Sequence, residues 1–342
     1  MRRMFVLVLC ALAMSVVQIK AAEPAQRTFN NPKIAANQRL HFSYIAKVMG
    51  AQYWAIVEMG VRKAAEELGI DVTYVGLQNE AEVEKQSMLL QDALSAKADA
   101  IIIAPTDSRA MVIPIQEAYD TGVPIVLVDT RIFSEAYDTC LQTNNYNAGA
   151  TCAAMMLNSF KGDKNANLKV AVQVATLGSQ TMVDRVGGFK DHWAQNAPKG
   201  WEVLWDEIKI SDADFQKALN NSQDILMRYP DIPMFWAPNN SGVLATGTAL
   251  KELDKKDVCL IGMDFATDTE ILMRAGYITG VAVQMQYQMG YQGVYAAYNL
   301  LHNKPIERNV DTGVFAVTME NIDTPEAEAV MYPAGRPVNV KK

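Results

Sequence analysis

Short apolar runs and longer amphipathic stretches alternate along most of the chain. Residues 100–104 are apolar throughout, which is typical of a strand buried on both faces of a parallel sheet. Residues 54–68 have helical spacing and are rich in Ala and Glu, and Gly69 predicts where this helix ends. The same criteria predict strands over 40–46, 72–76, 124–128, 169–174, 202–205, 234–236, 258–262 and 280–283. They predict helices over 81–96, 111–119, 183–195, 214–227 and 242–253.

This order of elements consists of two successive runs in which strands and helices alternate. We therefore predict an α/β fold with two doubly wound parallel sheets, one in each half of the chain. No low-complexity linker separates the halves, so we expect several short crossings between them and not one flexible tether. Because open α/β sheets bind ligands beyond the carboxyl ends of their strands, the predicted site is a cleft where the two sets of ends face each other.

The first residues have the pattern of an export signal. Arg2 and Arg3 precede an apolar stretch over 4–17, and Ala21 and Ala22 offer small residues for cleavage. The apolar stretch is short for a bilayer span, so a cleaved signal peptide over 1–22 is favoured over a membrane anchor. We expect a protein that is exported to the periplasm and is soluble after cleavage.

Composition argues against several kinds of partner. Half of the 342 residues are hydrophobic and 20% are charged, which is typical of a globular protein. The net charge of −7 is spread along the chain without a run of Lys or Arg. Since binding to nucleic acids or anionic membranes needs clustered cations, we expect neither as a partner.

Cysteine and histidine content bounds the redox and metal chemistry. Cys140, Cys152 and Cys259 follow the signal segment, and an odd number leaves at least one unpaired in a monomer. Export permits a disulfide between Cys140 and Cys152, which flank a predicted strand-to-helix turn; three small buried side chains are the alternative. The three histidines are isolated and no Cys-x-x-Cys pair occurs, so we expect neither a metal site nor a cofactor.

Polar side chains at predicted strand ends are the candidates for ligand binding. Asp129 and Asp264 each follow directly after an apolar strand, where a carboxylate indicates function. Asp107, Ser108 and Asp214 instead precede predicted helices, and we assign these three to helix capping. Other strand ends carry amides, cations and aromatic side chains. A polyhydroxylated ligand requires this mixture, because each hydroxyl both donates and accepts hydrogen bonds.

Several segments together resemble one family. Residues 98–108 read ADAIIIAPTDS, residues 122–129 read GVPIVLVD, and Gly262-Met263-Asp264 comes near the end. In this order and spacing, with Asn144-Asn145 between them, they resemble the ribose-binding-protein group of type I periplasmic binding proteins. The resemblance covers essentially residues 40–320 and implies two α/β domains that close on a sugar.

The resemblance also implies roles for side chains at the strand ends. The aromatic rings of Tyr53 and Trp54 would stack on the sugar, and Asp129 and Arg185 would bond its hydroxyls. The full implied ligand-binding set is Lys47, Tyr53, Trp54, Asp129, Arg131, Arg185, Phe215, Asn239, Met263, Asp264 and Gln284.

Four positions depart from the pattern usual in that family. Arg131 stands one residue later than the usual arginine, and Lys47 replaces a small polar residue. Met263 stands where an aromatic ring is common, and Ala51 where an asparagine is common. These differences argue against ribose itself. A neutral polyol, pentose, hexose or deoxysugar is favoured, and an amino sugar, a sugar acid or a furanosyl signal stays open.

By the same resemblance, the chain crosses between two domains three times, which permits closure about one axis. The first domain would comprise 38–143 and 285–311, and the second 144–284 and 312–342. A ligand held by one domain completes its hydrogen bonds when the other domain arrives, so binding favours the closed form.

The closed form is expected to be recognised by an inner-membrane ABC permease, with the protein acting as a monomer. The alternative is a periplasmic sensor that presents a furanosyl signal or a sugar acid to a chemoreceptor or sensor kinase. An enzyme is not expected, because no Gly-x-Ser-x-Gly elbow, Walker loop or metal-ligand cluster occurs. A sugar-responsive transcription regulator is not expected either, since a signal segment occupies the place of a DNA-binding domain.

Overall fold

The computed structural model describes residues 26–336, and the predicted signal peptide over 1–22 lies outside the described residues. The strands are β1 (His41–Val48), β2 (Asp71–Leu77), β3 (Ala100–Ile103), β4 (Ile125–Val128), β5 (Thr139–Gln142), β6 (Leu168–Val174), β7 (Trp201–Val203), β8 (Lys209–Ile210), β9 (Met234–Ala237), β10 (Cys259–Met263), β11 (Gly280–Gln284), β12 (Asn309–Asp311) and β13 (Val314–Thr318). The α-helices are α1 (Pro32–Ala35), α2 (Gln52–Leu68), α3 (Val83–Ser95), α4 (Val112–Asp120), α5 (Asn145–Ser159), α6 (Gln180–Asn196), α7 (Phe215–Arg228), α8 (Asn240–Glu252), α9 (Thr267–Arg274), α10 (Gln286–Leu301) and α11 (Pro325–Met331).

The first sheet has the strand order β12-β5-β4-β3-β1-β2, and every pairing in it is parallel. Its central strands β3 and β4 are buried at every position. Helices α2 and α10 cover one face with an apolar core, and α3 and α4 cover the other. Apolar side chains on both faces explain why these strands are continuous Val, Ile and Leu runs.

The second sheet has the order β13-β11-β10-β9-β6-β7, and β8 extends its edge by pairing with β6. Strand β13 is antiparallel to β11, and the other pairings are parallel. Helices α5 and α6 pack on one face, whereas α7, α8, α9 and α11 pack on the other. The predicted α/β fold with two doubly wound sheets is thus confirmed.

The chain passes between the two sheets three times. One passage lies between β5 and α5, one between β11 and α10, and one between β12 and β13. Two of these passages are tied together, because the backbone N–H of Asn144 donates to Asp311 Oδ1 at 2.9 Å and the Thr143 hydroxyl donates to the Gly313 carbonyl at 3.1 Å. The division of the chain into two domains at set boundaries stays a prediction.

Two glycines let helices α5 and α6 touch backbone to backbone. A Cβ on Gly149 would lie 1.9 Å from the carbonyl oxygen of Arg185, and a Cβ on Gly188 would lie 1.8 Å from that of Tyr146. Both distances are far below van der Waals contact, so only glycine fits at these crossings. The close packing fixes the position of α6, the helix that carries Arg185.

The structure differs from the predicted elements in a few places. The strand predicted over 202–205 is β7, and a 3₁₀ turn over Trp205–Glu207 follows it. Strands β5, β8, β12 and β13 and helices α1, α5, α9, α10 and α11 fall outside the predicted ranges.

The described cysteines Cys140, Cys152 and Cys259 are all buried and unpaired. The structure therefore favours small buried side chains over a disulfide between Cys140 and Cys152. Burial raises the pKa of the Cys140 and Cys152 thiols to about 12, which makes them poor nucleophiles. Among residues 26–336, no helix is both long and apolar enough to cross a membrane, and no cluster of His, Cys, Asp or Glu could hold a metal ion.

Candidate functional site

A cavity lies between the two sheets, at the carboxyl ends of their strands. It contains about 530 Å³ of empty space, including its opening to solvent. Both sheets and their loops contribute to its wall, as the strand-end rule predicts. Eight predicted residues line it: Lys47, Tyr53, Trp54, Asp129, Arg185, Asn239, Asp264 and Gln284.

Asp129 and Asp264 occupy equivalent positions in the two sheets. Each follows the last residue of a buried strand, and each has a left-handed backbone, with φ of 66° and 71°. The backbone N–H of Asp129 still bonds to Leu141 in β5, and that of Asp264 to Ala282 in β11. A non-glycine residue in this conformation is strained, and such strain clusters at functional sites.

The Asp129 carboxylate is held by three donors from the first sheet. Tyr53 OH donates to Oδ1 at 2.7 Å, the Thr130 hydroxyl donates to Oδ2 at 2.7 Å, and Lys47 Nζ lies 3.0 Å from Oδ2. Burial acts to raise the pKa of Asp129, but the charges of Lys47 and Arg185, together with the hydrogen bonds it accepts, outweigh this effect and hold the pKa below the usual range. Asp129 is therefore a fixed, ionised acceptor at the cavity wall.

Asp264 has weaker support on the opposite wall. Gln284 Nε2 donates to its Oδ1 at 2.8 Å, and the backbone N–H of Asn240 also bonds the carboxylate. Burial raises the pKa of Asp264 to about 6, although the charge of Arg185 acts in the opposite direction. Asp264 can therefore change its protonation state near neutral pH, unlike Asp129.

Arg185 is the buried cation of the second sheet, at 3% exposure. Its Nε donates to Asn145 Oδ1 at 2.9 Å and its Nη1 donates to the Pro238 carbonyl at 2.7 Å. Asn145 in turn donates to the Thr143 carbonyl, so a chain passage between the sheets orients the guanidinium. The N–H groups that these bonds leave unused can serve a ligand.

Aromatic rings form one side of the cavity. Tyr53 and Trp54 begin α2, and their rings meet edge to face with centroids 4.9 Å apart. Both side chains are buried in the apolar core under the first sheet while they line the cavity. An aromatic ring that packing holds rigidly at a cavity wall suits the C–H face of a ring-shaped ligand.

Three buried polar atoms among the cavity residues have no hydrogen-bond partner. They are Asn239 Oδ1, Asn240 Nδ2 and Gln284 Oε1. An unpaired polar atom in a dry site costs about 1–3 kcal/mol, so native proteins seldom keep one without a reason. Two acceptors and one donor at one cavity are what a bound ligand with hydroxyl groups would satisfy.

Hydrogen bonds join the two sides of the cleft. The hydroxyls of Thr130 and Thr181 lie 2.6 Å apart, and the Ser108 N–H donates to the Gly178 carbonyl at 3.1 Å. The Ser108 hydroxyl also accepts from the backbone N–H of Gln180 at 2.9 Å. These bonds bridge elements of the first sheet and the N-terminus of α6, so the described conformation is a closed one. The Ser108 hydroxyl donates to the Arg131 carbonyl at 2.7 Å and makes no bond to the start of α4, so the prediction that it caps the helix that follows it is wrong.

Three predicted residues lie outside the cavity. Met263 is fully buried in the core between the second sheet and α5, because alternate residues of β10 face that core. Phe215 is the first residue of α7 and 44% of its surface is exposed. Arg131 lies at the outer edge of the cleft, where its Nη2 is 4.0 Å from Asp184 Oδ2. The geometry gives none of the three access to the cavity.

Other cavity residues were missed by sequence reasoning: Glu80, Ser179, Thr181, Ala213, Asn240 and Ser241. Glu80 lies three residues beyond the end of β2, so the strand-end rule applied to that strand would have found it. Ser179 and Thr181 lie at the start of α6. Nothing in the local sequence there distinguishes a ligand-binding hydroxyl from an ordinary loop or helix residue.

Comparisons with known proteins agree with this geometry. Residues 42–305 match the periplasmic binding protein domain family. A carbohydrate transporter solute binding protein from Agrobacterium radiobacter, solved with D-arabinose, is 31% identical; the match covers 86% of this chain and 99% of that one, with a TM-score of 0.81. An ABC transporter solute binding protein from Agrobacterium vitis, solved with bound D-fucose, is 29% identical over 85% and 100% of the two chains, with a TM-score of 0.80.

A characterised relative extends the match. The ribose import binding protein of Bacillus subtilis is 24% identical over 89% of this chain and 95% of its own length. The family match covers well over half of the chain, and the solved relatives share its sheets and its length. The chain therefore belongs to the periplasmic binding protein family of non-catalytic solute-binding proteins, as its motifs predicted.

Proposed function

We propose that this protein binds one neutral sugar in the cavity between its sheets and delivers it to an ABC importer. The observation that carries the proposal is the set of unpaired amide atoms of Asn239, Asn240 and Gln284 in the cavity. The same cavity is lined by the rings of Tyr53 and Trp54 and by the two left-handed aspartates.

The charges in the cavity favour a neutral ligand. Two cations, Lys47 and Arg185, are offset by the carboxylates of Asp129, Asp264 and Glu80. Both cations already hold protein acceptors, Lys47 at Asp129 and Arg185 at Asn145. An acidic sugar would add a further negative charge to a cavity that already holds three carboxylates against two cations, and this would be costly when desolvated.

The sugars named for the relatives narrow the range of candidate ligands. Proteins about 30% identical to this chain were solved with D-arabinose and D-fucose, and a more distant relative imports ribose. We therefore favour an aldopentose or a 6-deoxyhexose in its ring form. We propose Lys47, Tyr53, Trp54, Asp129, Arg185, Asn239, Asp264 and Gln284 as its contacts, with Asn240 added to the predicted set.

Closure would follow from the division of these contacts between the two sheets. Asp129, Tyr53 and Lys47 belong to the first side, whereas Arg185 and Asp264 belong to the second. A sugar bonded to one side reaches its remaining partners only in the closed form, so it stabilises that form. In this proposal the domains divide at the three passages between the sheets.

The partner and the location follow from the family and from the first residues. We propose an inner-membrane ABC permease as the partner of the closed form, and export guided by the segment 1–22, which is then removed. Intact mass of the exported protein should place its first residue near Ala22 or Glu23.

A thermal-shift screen of the purified protein tests the function. D-arabinose, D-fucose, D-ribose, D-allose, glucuronate and myo-inositol should be compared at equal concentrations. A sugar at about a hundredfold above its Kd stabilises the folded state by about 2.7 kcal/mol, which raises the melting temperature measurably. We expect a neutral monosaccharide to give the largest shift. A shift with glucuronate alone, or with none of these compounds, would contradict the proposal.

A further inference from the structure

Glu80 lies at the border between the two sides of the cleft, on the loop that joins β2 to α3. Its backbone is fixed from both directions. The Glu80 N–H donates to the carbonyl of Asp212, beyond β8 on the second side, at 3.1 Å. The Glu80 carbonyl accepts from the Thr106 hydroxyl on the first side at 2.7 Å. The side chain therefore leaves a rigid point of the chain and enters the cavity wall.

The carboxylate of Glu80 has no hydrogen-bond or ion-pair partner among residues 26–336. The charges of Lys47 and Arg185 act to lower its pKa, against the effect of burial. Lys47 is already bonded to Asp129 and Thr130, and Arg185 to Asn145 and the Pro238 carbonyl. Burial raises the pKa of Glu80, although the residue is only partly buried, and within residues 26–336 no side chain or backbone N–H donates to its carboxylate.

The other acids of the cavity do have hydrogen-bond donors. Asp129 accepts from Tyr53 and Thr130 and pairs with Lys47, and Asp264 accepts from Gln284. The neighbouring acid Glu82, which is partly buried, also has a donor, since it accepts from the Gln78 N–H at 2.9 Å. Glu80 is thus the carboxylate of the cavity that lacks donors, and the two lone-pair faces of a carboxylate can take two adjacent hydroxyls at once.

We propose, on the basis of the sugar-binding function inferred above, that Glu80 accepts hydrogen bonds from two neighbouring hydroxyls of the sugar and thereby selects sugars that carry both. None of the residues predicted from the sequence has this role. Because the Glu80 backbone bonds to Asp212 across the cleft, the selecting carboxylate is in place only when the cleft is closed. Recognition of the hydroxyl pair and closure are then one event.

Two variants of Glu80 and one control test this role. Glu80→Ala removes the acceptor, and Glu80→Gln keeps its shape while it removes the charge. Glu84→Ala is the matched control, because Glu84 is an exposed acid at the start of α3 and does not line the cavity. Isothermal titration calorimetry with D-arabinose, D-fucose and D-ribose gives Kd, and the melting temperature of each ligand-free variant gives stability.

Hydrogen bonds to charged groups are strong, so the loss of the Glu80 carboxylate in Glu80→Ala should weaken sugar binding roughly ten- to a hundredfold. Glu80→Gln should lose less affinity. The ligand-free melting temperature of Glu80→Gln should stay equal or rise, because a carboxylate without donors is removed. A residue with a structural role alone would instead lower it. Glu84→Ala should bind like the wild type.

Monodeoxy analogues of the tightest-binding sugar identify the hydroxyl pair. The wild type should bind at least one analogue about tenfold more weakly than the parent sugar, whereas Glu80→Ala should bind the two equally. Wild-type affinity in Glu80→Ala, or unchanged discrimination against every analogue, would overturn the role of Glu80 and leave the sugar-binding function intact. A wild-type protein that binds none of the three sugars would overturn both.

Discussion

The buried ion pair between Lys47 and Asp129 offers a quantitative test of how the site works. Lys47 Nζ lies 3.0 Å from Asp129 Oδ2 and 2.7 Å from the Thr130 hydroxyl, and the two charged side chains are only 4% and 6% exposed. Replacing Lys47 with Met keeps the apolar stem and removes the charge. In the closed form, Asp129 would then be a buried carboxylate without its ion-pair partner.

The size of the effect follows from the burial. Removing one partner of a buried pair costs about 3–5 kcal/mol, which corresponds to a loss of affinity of roughly a hundred- to a few thousandfold. The cost arises mainly on closure, because an open cleft lets water reach Asp129. The melting temperature of the ligand-free protein should therefore change much less than the affinity. Lys63→Met, at an exposed lysine of α2, should leave both unchanged.

A double variant separates this explanation from simple loss of a ligand contact. In Lys47→Met combined with Asp129→Asn, the uncompensated charge is gone, so this variant should bind no more weakly than Lys47→Met alone. Calorimetric titration of the four proteins with the same sugar gives the coupling energy between the two sites. Strictly additive losses would refute the idea that Lys47 acts by compensating Asp129.

Three further predictions concern packing, closure and pH. Gly149→Ala places a methyl group against the backbone of Arg185, so it should lower the free energy of unfolding, measured with urea, by about 1–3 kcal/mol. It should also weaken sugar binding, and an unchanged affinity would contradict the role of the α5–α6 contact in placing Arg185. Thr181→Val removes the hydrogen bond to Thr130 across the cleft and should weaken affinity by up to roughly tenfold with little change in ligand-free stability, as calorimetry and thermal unfolding can check. Because burial raises the pKa of Asp264 from 3.8 to about 6, this carboxyl binds more protons in the folded protein than in the unfolded chain between these values, and its contribution to the free energy of unfolding should fall as pH rises through that range. Asp264→Asn should remove this fall, and urea midpoints that decline equally in both proteins would refute the assignment.

The parts of the fold that the sequence predicts are those in which one local pattern decides the outcome. Strands β3 and β4 are short and wholly apolar, and helix α2 ends at Gly69 in a left-handed conformation, as predicted. Strand β5 reads TCLQ, which has no strong strand pattern. It forms because β4 and β12 offer it partners on both sides, and the pairing with β12 joins residues far apart in the chain.

The residues of the site likewise divide into those that a local pattern predicts and those that it does not. Asp129 and Asp264 were predictable because a carboxylate after a buried strand has few structural explanations. Met263 was misplaced because the alternation of β10 turns its side chain to the core, and the motif alone does not reveal which face is which. Thr181 enters the site only through closure of the cleft, a long-range event that leaves no mark in the local sequence.

A crystal structure of the protein grown with the sugar that gives the largest thermal shift tests the central claim most directly. We expect electron density for one sugar ring between Asp129 and Arg185, against the rings of Tyr53 and Trp54, with hydroxyls bonded to Asn239, Asn240 and Gln284. A sugar bound outside this cavity, or a cavity that stays filled with water at saturating sugar, would contradict the account.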